Sequence, residues 1–142
     1  MVVIDANAAV EMAKGTSSGL GLANLICEGE KTITPDLFVH ELANICWKYR
    51  HTGLLSAAES MVLYHDALGF VDEIHDASDC AVEVLNESIR LDHPAYDIFY
   101  LVLARRLGAT LLTLDKKLNA LADRVGVQRI HQIEFDNPNP CR

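Results

Sequence analysis

The stretch YDIFYLVLARRLGATLLTLDKKL, Tyr96 to Leu118, decides the fold class. Its run from Ile98 to Ala104 is apolar for seven consecutive residues, and a helix that is apolar nearly all round is a buried one. Gly108 stands where a helix closes in the left-handed conformation. Thr110 to Thr113 reads as a short strand, and Asp115 precedes a new helix beginning at Lys116. A buried helix feeding a strand that feeds another helix is the repeating unit of an α/β domain with a mainly parallel sheet.

Working outward, the same alternation covers the chain. The spacing predicts strands at Val2 to Ile4, Thr32 to Thr34, Gly69 to Ile74, Thr110 to Thr113 and Gln128 to His131, about five in all. Between and around them it predicts helices at Ala8 to Lys14, Ser18 to Glu28, Pro35 to Arg50, Ser56 to Leu68, Ser78 to Arg90, Pro94 to Leu107 and Lys116 to Val125. Thr34 before Pro35 reads as an N-cap followed by proline at the first helical position. Ser56-Ala-Ala-Glu59 reads as a capping box, and Gly53 ends the helix before it. There is no repeat or linker, so residues 1–135 read as one domain and residues 136–142 as a short polar tail.

A chain of 142 residues is long enough for one core. Seven consecutive apolar residues fall far short of the roughly 18 needed to cross a bilayer, and no basic segment leads an apolar one at the N-terminus. The chain therefore reads as soluble and cytoplasmic. Cys27, Cys46, Cys80 and Cys141 form no C-x-x-C pair and lie at no zinc-ligand spacing, so they read as free thiols, the first three in core-like contexts. The net charge of −8 argues at first against a nucleic-acid partner, since phosphates call for Lys and Arg.

Four of the twenty acids break the hydrophobic pattern. Asp5 ends the run Val2-Val3-Ile4 and so stands at the carboxyl edge of a strand, where open parallel sheets bind ligands. Asp115 repeats that placement after Leu111-Leu112-Thr113-Leu114. Either one, taken alone, also serves as the N-cap of the following helix. Glu41 lies on the apolar stripe Phe38, Leu42, Ile45, Tyr49 rather than opposite it, unless it reaches water or pairs with Lys48 or Lys14. Asp97 opens the most apolar helix and stacks at helical spacing over Tyr100, Leu101 and Ala104; the helix dipole explains an acid in the first turn but not one against buried neighbours.

A parallel sheet places its carboxyl edges on one side, so these acids can converge on one cleft. Like charges that close raise one another's pKa, and a hard divalent cation relieves the repulsion. Oxygen ligands without organised His or Cys favour Mg²⁺ or Mn²⁺, ions suited to an in-line displacement at phosphorus.

The segments Val-Val-Ile-Asp5-Ala-Asn7, Pro35-Asp-Leu-Phe-Val-His-Glu41-Leu-Ala-Asn44 and Tyr96 to Leu118 together resemble a PIN domain of the VapC toxin type, from Val2 to about Ile133. The resemblance implies a PIN-like three-layer α/β/α sandwich and a Mg²⁺- or Mn²⁺-dependent endoribonuclease that is the toxin of a type II toxin–antitoxin pair. It implies a homodimer neutralised by a VapB-like antitoxin, acting on transfer RNA or alternatively ribosomal RNA. By matching position, Asp5, Glu41, Asp97 and Asp115 are its catalytic and metal-site acids, with Asn7 and Thr113 in support. Asn119, one turn beyond Asp115, is a further polar candidate.

Other features carry less. His40-Glu41-Leu-Ala-Asn44 lacks the second His of the zinc-protease H-E-x-x-H motif, and the histidines at 51, 65, 75, 93 and 131 show no ligand spacing. Gly19-Leu-Gly21 lacks the third glycine of a dinucleotide fingerprint and the strand before it. Trp47 and Tyr49 fit core or dimer contacts, while Lys116-Lys117 and Arg105-Arg106 are either surface charges or holders of RNA phosphates. The competing functional readings are a catalytically silent PIN-like binding module and a metal-dependent phosphatase using the same acids.

Overall fold

The computed structural model describes residues 1–26 and 28–130. Four parallel strands, β1 (Val2–Ile4), β2 (Thr32–Pro35), β3 (Glu73–His75) and β4 (Thr110–Leu112), form one sheet in the order β3-β2-β1-β4. The helices are α1 (Ala6–Lys14), α2 (Ser17–Leu25), α3 (Leu37–His51), α4 (Ala57–Leu68), α5 (Ala81–Leu91), α6 (Ala95–Leu107) and α7 (Lys116–Val125), with a 3₁₀ turn at Ser78–Cys80. None of the described helices is long and apolar enough to cross a membrane.

The layers follow from which faces are apolar. Every residue of β1 is buried, as parallel strands covered on both faces require. In α6, Ile98 and the whole run from Tyr100 to Ala104 are buried, and the helix lies across β1, β2 and β4 with α5 and α7 beside it. Helices α1 to α4 pack on one another as the second helical layer. Fully burying each large apolar side chain, among them Phe38, Leu42, Ile98 and Leu101, contributes about 1.5–3 kcal/mol. Cys46 and Cys80 are buried free thiols in this core; the Cys27 and Cys141 side chains lie outside the described residues.

The close approach of α2 to α1 explains Gly19. A Cβ there would sit 1.9 Å from the Glu11 carbonyl oxygen, so the glycine serves helix packing rather than a phosphate. The Ser56–Glu59 capping box is present in both directions, and Gly53 and Gly108 have φ of 78° and 59°.

Three expected boundaries are corrected. Residues 69–71 do not begin a strand: the Gly69, Phe70 and Val71 N–H groups bond back to His65, Ala67 and Leu68 carbonyls, and β3 starts only at Glu73. Thr34 is not an N-cap. Pro35 ends β2, where a missing N–H costs little, and the Thr34 hydroxyl donates instead to the Ile4 carbonyl at 2.9 Å. Helix α3 begins behind Asp36, which makes no side-chain cap. The expected fifth strand is reduced to a single parallel bridge between Leu111 and Arg129, with His131 outside the described residues.

Candidate active site

Two strand ends supply the centre of the site. Ile4 of β1 pairs with Leu112 of β4, so the residues leaving both strands emerge on the same edge of the sheet. Asp5 follows β1 directly, and its N–H continues the ladder to the Leu112 carbonyl at 3.2 Å. Its extended backbone makes it the N-cap of α1, with Oδ1 accepting from the Ala8 N–H at 2.7 Å. Capping and a role in the cleft are therefore compatible: one carboxylate oxygen serves the helix and the other, Oδ2, accepts the Thr113 hydroxyl proton.

Thr113 ties the two strand ends together. Its buried hydroxyl donates to Asp5 and accepts the Asp115 N–H at 3.0 Å. Asp115 is the N-cap of α7, its Oδ1 accepting from the Lys117 and Leu118 N–H groups at 2.7 and 3.2 Å. Asn119 donates Nδ2–H to the Thr113 carbonyl at 3.1 Å and holds that loop from behind; its buried amide oxygen has no partner among the described residues. Asn7 lies exposed on the first turn of α1 with no side-chain hydrogen bond among the described residues.

The helices bring the other two acids. Glu41, half-buried on α3, accepts a 2.5 Å hydrogen bond from the Tyr100 hydroxyl of α6. It makes neither of the lysine pairings open to it, since Lys14 bonds Glu11 and Tyr49 instead. Asp97, in the first turn of α6, is joined through Oδ2 to His93 Nε2 at 2.8 Å.

The electrostatics link the four acids in series. Burial pushes Asp5 up to about 7, against the hydrogen bonds from Thr113 and Ala8, and the negative charges of Glu41 and Asp115 push in the same direction. Burial also raises Glu41, opposed by the Tyr100 hydroxyl and reinforced by the charge of Asp97. Desolvation first, then proximity to Glu41, holds the Tyr100 phenol far above its ordinary value, so it remains a donor.

Among the described residues, no three His, Cys, Asp or Glu side chains are drawn together tightly enough to enclose an ion unaided. The donor chemistry nevertheless suits a hard cation. The facing groups are carboxylate oxygens whose charges raise one another, and Mg²⁺ keeps several of its waters while taking only one or two carboxylates.

His93 and Tyr100 were not singled out by sequence. The signal for His93 was its position four residues before Asp97, within reach of a helix's first turn. Tyr100 read only as an apolar neighbour of Asp97, although a buried phenol needs a hydrogen-bond partner. Of the basic pairs, Arg105 and Arg106 are surface charges of α6, engaged by Glu83 and Glu87 of α5 and by Asp79 of the 3₁₀ turn. Trp47 is not a core residue: it is 55% exposed and stacks on His51.

A family model for the PIN domain matches residues 2–124. Ribonuclease VapC3 of Pyrobaculum aerophilum is 25% identical over 119 residues, which span 82% of this chain and 91% of that protein. Among solved structures, the crystal structure of PAE2754 from Pyrobaculum aerophilum is similar with a TM-score of 0.67, covering 89% of this chain and 97% of that one at 23% identity, a likeness of fold.

Proposed function

The chain belongs to the PIN-domain family, and from that premise we propose that it is a VapC-type endoribonuclease, the toxin of a toxin–antitoxin pair, that hydrolyses RNA phosphodiester bonds. The observation that carries this reading is the linked set of acids at the carboxyl edge of the sheet, with Asp5 buried, hydrogen-bonded by Thr113 and pushed to about 7 by burial and by Glu41 and Asp115. A carboxyl group raised by burial and by neighbouring acids at the ligand-binding edge of a parallel sheet supports a functional site.

Asp5 and Asp97 would hold Mg²⁺ or Mn²⁺ directly, with Glu41 and Asp115 acting through water. When bound, the ion would acidify water and stabilise charge on the phosphodiester. The protein's own residues do the rest. Thr113 fixes the orientation of Asp5, Tyr100 fixes that of Glu41, and α7 opens beside the site with the exposed Lys116 and Lys117 positioned to draw in RNA phosphates.

The substrate would be transfer RNA or ribosomal RNA, and the neutralising partner a VapB-like antitoxin whose basic side chain competes for the acidic cleft. A homodimer is supported by α5. Val82, Leu85 and Ile89 are 74%, 58% and 72% exposed and spaced three then four, the narrow seam of paired helices. Around them Asp79, Glu83 and Glu87 are paired with Arg90, Arg105 and Arg106, so a second copy would meet a locally neutral rim despite the net charge.

The test is titration of Mg²⁺ and Mn²⁺ into the purified protein with RNA, DNA and a small phosphate ester. Cleavage of RNA alone supports the proposal. Cleavage of the ester alone makes the protein a phosphatase, and no cleavage of any substrate makes it a binding module.

A further inference from the structure

Asp97 is the third residue of α6, the position from which an acid in a capping box reaches back to the N-cap N–H. The N-cap of α6 is Pro94, which has no N–H to offer. Asp97 is thereby released from the capping that would ordinarily explain an acid at this position. Its Oδ2 is joined to His93 Nε2 at 2.8 Å, while Oδ1 has no hydrogen-bond partner among the described residues.

The imidazole is well placed to hold that carboxylate. Asp92 takes the left-handed conformation at φ 52°, and the N–H groups of Asp92 and His93 both bond to the Ser88 carbonyl, the latter at 3.1 Å. Pro94 restricts the backbone on the other side. His93 is thus fixed at the turn between α5 and α6, its side chain 12% exposed against 36% for Asp97. An ionised carboxylate only accepts hydrogen bonds, so the imidazole must carry a proton on Nε2.

We propose that His93 is a positioning residue for Asp97, donating Nε2–H to Oδ2 and so leaving Oδ1 presented for cation binding; this rests on the reading of Asp97 as a metal-site acid. A histidine suits this task because its rigid ring presents a single N–H to Oδ2 at this short reach. A lysine there would compete with a divalent cation for the same oxygens.

The experiment compares wild type, His93→Leu, which fills the space without a donor, and His93→Gln, which keeps an N–H at similar reach. Mn²⁺ binding to the metal-free protein is followed by calorimetry without RNA, alongside kcat and KM for RNA and the Tm. Loss of an orienting hydrogen bond of this kind typically weakens metal affinity or activity about 10- to 100-fold. His93→Leu should fall in that range for Mn²⁺ affinity and kcat with KM for RNA and Tm little changed, and His93→Gln should recover to within about threefold, a margin well below that loss. The proposal is overturned if His93→Leu stays within about twofold of wild type, or if both variants lose equally and share a lowered Tm, which would make His93 a packing residue. A wild-type protein that binds Mn²⁺ but cleaves no RNA overturns the ribonuclease reading and leaves His93 to be judged by cation binding. One that does neither overturns both.

Discussion

Thr113 and Asp5 are 108 positions apart in the sequence and meet in one buried hydrogen bond, the threonine hydroxyl donating to Asp5 Oδ2. The pairing of β1 with β4 makes that contact, and the same hydroxyl accepts the Asp115 N–H, so one small side chain sets the spacing of two acids.

Removing that hydroxyl while keeping the shape tests its role. A hydrogen bond to a charged group is worth about 1.5–3 kcal/mol, so Thr113→Val should lower kcat/KM for RNA cleavage by about tenfold or more. Thr113→Ser should retain most of it. Undiminished cleavage by Thr113→Val, with the loss confined to Thr113→Ser, would indicate that the methyl group, not the hydroxyl, matters.

The state of Asp5 makes stability depend on pH in a particular direction. Its folded value, about 7, lies above its ordinary 3.8, so the stability it contributes is complete below about pH 4 and is lost as pH rises through 7. Asp5→Asn carries no such titration. In metal-free protein at pH 8, urea unfolding should find Asp5→Asn more stable than wild type by on the order of 4 kcal/mol, with the difference closing towards pH 4. Parallel stability curves for the two proteins would contradict the burial argument.

Tyr100 acts on Glu41 in the opposite sense to burial, lowering a carboxyl that desolvation raises. Tyr100→Phe removes the lowering hydrogen bond, so Glu41 should ionise at higher pH. The acid limb of the kcat/KM profile for RNA should then move upward in pH, making the loss greater at pH 5.5 than at pH 8. An unmoved limb would mean that Glu41 does not set it.

The exposed seam of α5 makes a separate prediction. Leu85→Glu and Ile89→Glu place charge on the proposed two-fold contact without touching the core, so sedimentation should show wild-type dimers and variant monomers of unchanged helicity. Dimers in all three would place the interface elsewhere.

The elements and acids that the sequence revealed share one property: their cause is local. The apolar circumference of residues 98–104, the strand-then-acid pattern at Asp5 and Asp115, and the capping box at Ser56 are each contained within a few residues. Where the structure differs, the causes divide. Residues 69–71 look strand-like but turn back on the carbonyls of α4 just before them, a local competition between two hydrogen-bond patterns, whereas Thr34 looks like a cap but is drawn to Ile4, thirty positions away. The Tyr100–Glu41 hydrogen bond spans 59 positions, and no local pattern announces it. His93 lies close to Asp97 in sequence, yet its role became legible only with the helix start known to fall at Pro94.

The most direct measurement is RNA cleavage by wild type, Asp5→Asn and Asp97→Asn across a Mg²⁺ and Mn²⁺ titration, with folding of each checked by circular dichroism. Wild type should show cation-dependent cleavage and each folded variant a loss of at least about a hundredfold, as removal of charge from a metal-site acid requires. Undiminished cleavage in both variants would contradict that assignment.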